Sequence, residues 1–277
     1  WFRDDWFYLQ FLMIAVGFLG KEFVRWHRDG RSTHIFNPSA FSLGLFSLVL
    51  IATDSSNLTW GDQIATTLNL APNPYLFLFL LGLIVMYFFS ITLVSACAAA
   101  ALFGLSALYT SVTGVPFFHD AEIPIAVFLG LHLLVTDPST SPRTATGKAM
   151  FGVLYGLCVF GLYELLGSFG IPTFYDKLLG VPLLNLCVPA IDQAARALRR
   201  TDQTQPGGLE VIPRRANLAF MAVWILFFGA MAARGGATDG KHTGDSVPFW
   251  QEACALDQRN ACRTLALVEV VYCTDGS

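Results

Sequence analysis

The chain has 277 residues, of which 54% are hydrophobic and only 13% are charged. A soluble domain carries about 25% charged residues, so this composition excludes a soluble enzyme domain for most of the chain, and the high hydrophobicity excludes intrinsic disorder. The formal net charge of −3 provides no positive field for a nucleic-acid partner.

Long apolar runs without period-two alternation predict an all-α polytopic membrane protein rather than a barrel. Eight transmembrane helices are expected, at residues 6–20, 36–53, 74–88, 91–112, 121–136, 148–168, 178–198 and 216–233. The third and fourth belong to one run, Tyr75 to Leu108, that has no charge and no Pro. That run is too long for one span, and we divide it near Ser90.

The charges of the connecting loops predict the orientation. The loops at 21–35, 137–148 and 199–215 carry Lys and Arg, whereas those at 54–73, 113–122 and 169–177 are acidic or nearly neutral. Basic loops stay on the cytoplasmic side, so both ends of the chain are expected on the outer face. This predicts a multi-pass protein of the bacterial inner membrane with a periplasmic C-terminal tail. Because the first residue is Trp1, we expect the chain to be part of a longer or processed protein.

The cysteines divide into two groups. Cys97, Cys158 and Cys187 lie in apolar spans and are interpreted as small hydrophobic residues. In the polar tail, the segment from Ala253 through Cys254 and Cys262 to Leu265 resembles one Sel-one-like helical repeat, a relative of tetratricopeptide repeats. The resemblance implies two antiparallel helices joined by a Cys254–Cys262 disulfide, which needs an oxidising compartment. Free thiols remain an alternative; zinc is disfavoured because no CxxC pair is present. We therefore expect a membrane domain at 1–234, and a periplasmic linker and partial repeat at 235–277.

Two segments place polar, helix-starting residues at membrane depth: His34 to Phe41, which contains Asn37-Pro38, and Thr136 to Lys148, which contains Asp137-Pro138. Pro suits the first helical turn and an Asx side chain caps free amides, so Asn37 and Asp137 are expected to cap the second and sixth helices. A helix start also attracts anions, and Lys148 adds positive charge. Capping alone would also explain both segments.

The sequences HIFNPSAF, TDPSTSPRTATGKAMFG and LLNLCVPAID resemble a family of redox-complex membrane subunits. The family contains the RnfD subunits of Rnf electron-transport complexes and the NqrB subunits of the sodium-translocating NADH:quinone reductase. The resemblance implies an inverted-repeat bundle that binds flavin, transfers electrons and assembles with other subunits in the bilayer. Family members that pump ions attach FMN to Thr in a Ser/Thr-Gly-Ala-Thr motif on the outer side. That motif is absent here, where the corresponding loop reads Tyr109 to Pro116, so covalent FMN is not expected.

A non-covalent flavin, either FMN or riboflavin, or a quinone is expected between the two helix starts. The candidate polar contacts are Asn37, Ser39, Thr136, Asp137, Ser139, Thr140, Ser141, Thr144 and Lys148, and the candidate aromatic walls are Phe36, Phe41 and Phe151.

His132, Glu164 and Asn185 also fall within predicted spans. His132 is a candidate proton relay, with a packing histidine as the favoured alternative. It is the one clearly intramembrane histidine, so a haem with two axial histidines is not expected. Two further function classes stay open: a redox-silent scaffold that anchors the periplasmic tail in a larger complex, and a small-molecule transporter, because transporters also use broken helices.

Overall fold

The computed structural model describes residues 1–28, 30–61, 64, 73–118, 124–172, 174–200, 212–233, 246–258, 261–262 and 264–266. Nearly all secondary structure in these ranges is helical. In chain order the helices are α1 (Tyr8–Phe23), α2 (Pro38–Ala52), α3 (Asn73–Phe89), α4 (Thr92–Thr113), α5 (Ile125–Leu129), α6 (Ala145–Ser168), α7 (Tyr175–Arg200), α8 (Arg214–Ala233) and α9 (Val247–Ala255). A π-helical turn, Gly130–Leu134, continues α5.

Each of the eight predicted spans coincides with one of the helices α1 to α8, which confirms an all-α polytopic membrane protein. Within the described residues, four helices are long and apolar enough to cross a membrane: Thr92–Thr113, Ala145–Ser168, Tyr175–Leu198 and Arg214–Ala233. Three shorter apolar helices accompany them: Pro38–Ala52, Pro74–Phe89 and Ile125–Leu134. Their exposed surface is rich in large apolar side chains, as contact with lipid requires.

The division of the third and fourth spans near Ser90 is confirmed. Ser90 adopts a positive φ of 50° between the end of α3 and the start of α4. A non-glycine residue in this left-handed region is uncommon, and here it interrupts the helical backbone. The break lets two helices form from an apolar run that has neither a charge nor a proline to divide it.

The centre of the bundle is formed by α6, which packs against α4 on one side and α7 on the other. Gly152 and Gly156 lie on the face of α6 that meets α4. A Cβ at Gly152 would overlap the Val94 carbonyl oxygen, and a Cβ at Gly156 would lie 2.7 Å from the Cβ of Ala101. Small residues at this contact allow the two backbones to approach closely, as is common for helices in membranes.

The basic loop between α1 and α2 contains a hairpin that the sequence did not predict. Strand β1 (Arg25–Arg28) pairs with β2 (Arg31–His34) in antiparallel register, with Trp26 opposite Thr33. The hairpin holds the start of α2 next to the end of α1, because the Ile35 N–H donates to the Val24 carbonyl at 3.1 Å.

The C-terminal tail packs onto the end of α4. Trp250 and Ala253 of α9, together with Ala261, are buried against Val115, and Tyr109 of α4 packs at the edge of this cluster. The structure joins Cys254 to Cys262 in a disulfide, the pairing that the repeat resemblance implies. The expected boundary between residues 1–234 and 235–277 lies in 234–245, outside the described residues.

Candidate functional site

The polar centre of the bundle begins where α5 loses its regular hydrogen bonding. The π-helical turn and the helix end leave backbone carbonyls without their usual partners. Side-chain hydroxyls bind them instead: Ser95 to Leu131 at 2.6 Å, Thr136 to His132 at 2.6 Å and Ser141 to Val135 at 3.0 Å. Irregular backbone at membrane depth is tolerated only where such groups are satisfied inside the protein.

Asn37 caps α2, as predicted. Its Oδ1 accepts the N–H groups of Ser39 at 3.0 Å and Ala40 at 3.1 Å, and Pro38 occupies the first helical turn. Its Nδ2 donates at 3.4 Å to the carbonyl of Leu134, the last residue of the π-helical turn. One side chain thus starts α2 and ties that start to the broken end of α5.

Asn185, in the middle of α7, joins both predicted segments. It is fully buried; its Oδ1 accepts the Asn37 N–H at 3.1 Å, and its Nδ2 donates to the Thr140 carbonyl at 3.3 Å. The two sequence segments, about a hundred residues apart, therefore meet at one amide side chain inside the bundle. We call the polar cluster formed by His34, Asn37, Asp137, Thr140 and Asn185 the niche.

The prediction that Asp137 caps the sixth helix is wrong. Its Oδ1 accepts the Ser139 N–H at 2.9 Å, which closes a local turn, while α6 does not begin until Ala145. Its Oδ2 lies 3.4 Å from Nε2 of His34, and both side chains are largely buried. Asp137 therefore links the 136–144 segment to the hairpin instead of starting a helix.

Thr144 caps α6. Its hydroxyl oxygen accepts the Gly147 N–H at 3.0 Å. The carboxylate of Asp192, on α7 and nearly fully buried, lies against the same helix start and accepts the Arg143 N–H at 3.4 Å. A negative charge at this position is favourable because the helix dipole is positive there. The protein's own carboxylate thus takes the place at which an anionic ligand was expected.

Lys148 is directed away from the niche. Its Nζ donates to the Ser90 carbonyl at 3.0 Å, at the break between α3 and α4. Nearby, Asn217 of α8 donates from Nδ2 to the Met86 carbonyl at 2.9 Å. Two side chains therefore satisfy the carbonyl groups at the end of α3, where cations are favourable.

The remaining candidates lie around the niche at different depths. Ser39 is exposed, and Thr136, Thr140 and Ser141 are buried. The rings of Phe36 and Phe41 stack with centroids 4.9 Å apart at 27°. Phe151 lies in the main hydrophobic cluster instead, so two of the three predicted walls form a pair.

His132 lies in a closed aromatic environment next to this polar centre. Its Nδ1 is 2.8 Å from the Phe128 carbonyl, and its Nε2 accepts the Trp224 indole N–H at 3.2 Å. This pairing requires a neutral ring with the proton on Nδ1. The rings of Phe79 and Phe128 contact the imidazole, and both ring nitrogens have protein partners.

Sequence reasoning placed Asn185 in a span but did not assign it to the site, and it did not select Asp192. Both lie in the segment LLNLCVPAID, so the signal was present as polar residues in an apolar helix. The contacting partners of such residues follow from the fold and not from local sequence. Over the described ranges, no group of three or more His, Cys, Asp or Glu side chains could hold a metal.

The fold and this buried polar centre define a polytopic α-helical membrane protein with broken helices that meet inside the bundle. The chain belongs to the NQR2, RnfD, RnfE family, whose model matches residues 34–199. The matched range contains every member of the niche.

Two curated relatives are each named as the D-type subunit of an ion-translocating oxidoreductase complex. The protein of Actinobacillus succinogenes is 37% identical over 94 residues, which is 34% of this chain and 24% of that protein. The protein of Aeromonas salmonicida is 37% identical over 84 residues, 30% of this chain and 22% of that protein. The matches thus span about a quarter of the relatives' length. No solved structure matches the chain.

Proposed function

We propose that the chain is a membrane subunit of an electron-transport complex and binds a flavin or a quinone non-covalently at the niche. Its family supports the first part, because the relatives are named as subunits of an oxidoreductase complex. The other subunits of such a complex, together with the bilayer, would be its partners.

One observation carries the binding proposal: the two motif segments, distant in sequence, share a single buried amide. Asn185 binds Asn37 on one side and Thr140 on the other, and the His34–Asp137 contact closes the same region. A set of convergent polar groups in an apolar surrounding is what a small-molecule site needs. The stacked Phe36 and Phe41 rings supply the flat apolar surface that a planar ring would contact.

The charges around the niche favour an uncharged ring over a phosphate. Asp192 already lies against the α6 start, and the Gly147 N–H is bound to Thr144. A phosphate there would meet a buried carboxylate, which is repulsive. Riboflavin or a quinone therefore fits this end of the niche better than FMN.

The Thr113 hydroxyl donates to the Tyr109 carbonyl at 2.8 Å. Thr113 lies in the segment where relatives carry the threonine that binds FMN covalently, and here its hydroxyl already has a partner in the protein.

We also propose that the protein lies in the bacterial inner membrane with its tail in the periplasm. The basic loops support this orientation, and a Cys254–Cys262 disulfide persists only in an oxidising compartment. Under this proposal the tail is the first part of a Sel-one-like repeat.

A redox-silent scaffold is the second candidate function. The observation that favours it is the packing of the tail on the end of α4 through Trp250, Ala253 and Val115. Such a contact would hold a periplasmic unit at a fixed position on the membrane domain. If the tail anchors other subunits, deletion of residues 235–277 should disrupt the surrounding complex; unchanged assembly would argue against the scaffold.

The visible spectrum of the purified protein separates the two candidates. For a non-covalent carrier we expect a flavin spectrum whose chromophore enters the supernatant after acid precipitation, or a quinone in the organic extract. A covalent flavin would stay with the pellet. A colourless preparation with no extractable quinone would contradict the electron-carrier proposal.

A further inference from the structure

The end of α1 and the β1–β2 hairpin that follows it carry a concentration of positive charge. Only two acidic residues, Glu22 and Asp29, accompany the four basic residues of this stretch: Lys21, Arg25, Arg28 and Arg31. In a chain with only 13% charged residues, such a cluster forms a local positive field. A field of this sign attracts an anionic partner.

The hairpin begins where α1 leaves the apolar layer. Phe23, the last residue of α1, is apolar and 80% exposed, which suits a position against lipid. The Ile35 N–H donates to the Val24 carbonyl at 3.1 Å and so holds the base of the hairpin at this level. Arg25 follows Phe23 by two residues, or about 7 Å of extended chain. That distance is about the thickness of one headgroup layer of a bilayer.

Arg25, His27 and Ser32 form an exposed face of the hairpin. Side chains alternate along a strand, so Arg25 and His27 share a face, and the register places Ser32 opposite His27. All three are exposed. The Arg25 guanidinium donates to the Ser32 carbonyl at 3.3 Å and lies 3.5 Å from the Glu22 carboxylate, which is itself 65% exposed. Such a surface ion pair is weak, and a guanidinium has five N–H donors, so Arg25 keeps donors for a further anion.

The turn of the hairpin brings two further cations together. The register places Arg28 directly opposite Arg31. Like charges in opposite positions of a strand pair are unfavourable, and an anion bound at this end would reduce that repulsion. A phosphate group suits the site, because guanidinium groups bind phosphate oxygens through charge-assisted hydrogen bonds.

We propose that this hairpin binds the phosphate of an anionic phospholipid, such as phosphatidylglycerol. A lipid fits better than a soluble phosphate because the exposed Phe23 ring lies next to the basic face. One molecule can place its acyl chain against the ring and its phosphate on the arginines. A zwitterionic headgroup brings a positive charge of its own and gains less. This surface is independent of any ligand of the niche.

Native mass spectrometry of the delipidated full chain in detergent tests this, with phosphatidylglycerol and phosphatidylcholine of the same acyl chains as probes. Wild type should bind the first phosphatidylglycerol about tenfold more tightly than the first phosphatidylcholine. A basic residue at a membrane surface contributes about fivefold to the binding of anionic lipid. The preference should therefore be lost when three arginines are replaced together: Arg25→Gln, Arg28→Gln and Arg31→Gln. The corresponding triple Arg→Lys variant keeps the charge and should keep most of the preference.

A matched control removes the same charge from exposed positions on α7 and α8: Arg196→Gln, Arg214→Gln and Arg215→Gln. It should keep the wild-type preference within about twofold. Higher salt provides a test that needs no variant, because screening should reduce the preference of wild type between about 0.1 and 0.5 M ammonium acetate.

Four results would overturn the inference: no preference in wild type, a wild-type preference in the hairpin Gln variant, equal loss in the hairpin Gln and Lys variants, or equal loss in the hairpin and control Gln variants. If the hairpin Gln variant instead loses its neighbouring subunits in native membranes and binds lipid like wild type, the partner is an acidic protein surface. Flavin and quinone content, measured on the same preparations, reports on the proposed function separately.

Discussion

Replacement of Asn185 by Leu tests the link between the two motif segments. The side chain is fully buried and makes two hydrogen bonds, from the Asn37 N–H at 3.1 Å and to the Thr140 carbonyl at 3.3 Å. Leu has a similar volume but can make neither bond, so two backbone groups lose their partner. Each buried group left unsatisfied costs about 1–3 kcal/mol, and the added apolar burial of Leu offsets part of this. We expect Asn185→Leu to lower the free energy of unfolding by about 2–4 kcal/mol.

Reversible unfolding in mixed micelles with increasing SDS, followed by tryptophan fluorescence, measures this free energy. Leu186→Ala is the control, because Leu186 is the neighbouring residue on α7 and its side chain is 54% exposed. It should change the free energy of unfolding by less than about 0.5 kcal/mol, as surface substitutions usually do. If Asn185→Leu were no more destabilising than this control, the amide would not hold the two segments together.

Three further changes test other parts of the fold. Gly152→Ala should destabilise by about 1–3 kcal/mol in the same SDS titration, because its Cβ would overlap the Val94 carbonyl oxygen. Thr144→Ala should cost about 1 kcal/mol in that titration, because it removes the cap of α6. Cys254→Ser should release the tail from α4, since the disulfide joins the two chain segments that contribute to the docking cluster; limited proteolysis should then cleave the tail and leave the membrane helices intact.

Each of these changes has a matched comparison. Gly161→Ala, on the same helix, has no atom within 4 Å of its added Cβ and should be neutral or slightly stabilising. Ser168→Ala, at the exposed end of α6, should leave the stability unchanged. For the tail, Cys187→Ser removes a free exposed thiol and should not alter proteolysis. Equal behaviour of a test variant and its comparison would show that the corresponding contact does not stabilise the fold.

The membrane helices were predictable because hydrocarbon imposes a simple requirement. A span needs a continuous apolar run. Each of the eight apolar runs in the sequence corresponds to a helix of the structure, and the predicted ends lie close to the observed ends. The Asn37 cap was predictable because it depends only on neighbouring residues. Asn37 accepts the N–H groups of Ser39 and Ala40, and Pro38 lies between Asn37 and Ser39. The break near Ser90 could be predicted from the length of the apolar run alone.

The Asp137 prediction failed because several residues of the same segment can cap a helix. The run from Ser139 to Thr144 contains four hydroxyl side chains, and Pro142 lies among them. A proline disfavours helical geometry in the residue before it, so the helix starts only after Pro142, and Thr144 is the next capping residue. The hairpin was missed because its strands are short and lie in a charged loop.

The partners of the niche could not be predicted, because they are set by helix packing. Asn37 and Asn185 are 148 residues apart, and Lys148 reaches a carbonyl 58 residues away. Nothing in the local sequence distinguishes a lysine that binds the end of another helix from one that faces a ligand. Charge near a motif therefore indicated the right region but not the right contact.

The central claim is that the niche holds a planar redox cofactor, and the cofactor content per chain tests it most directly. Wild type and Asp137→Asn would be purified in parallel, and flavin in the acid supernatant and quinone in the organic extract would be measured per mole of protein. We expect close to one flavin or quinone per wild-type chain and a clear reduction in the variant, which weakens the His34 contact. Equal content in both proteins, or none in wild type, would contradict the claim.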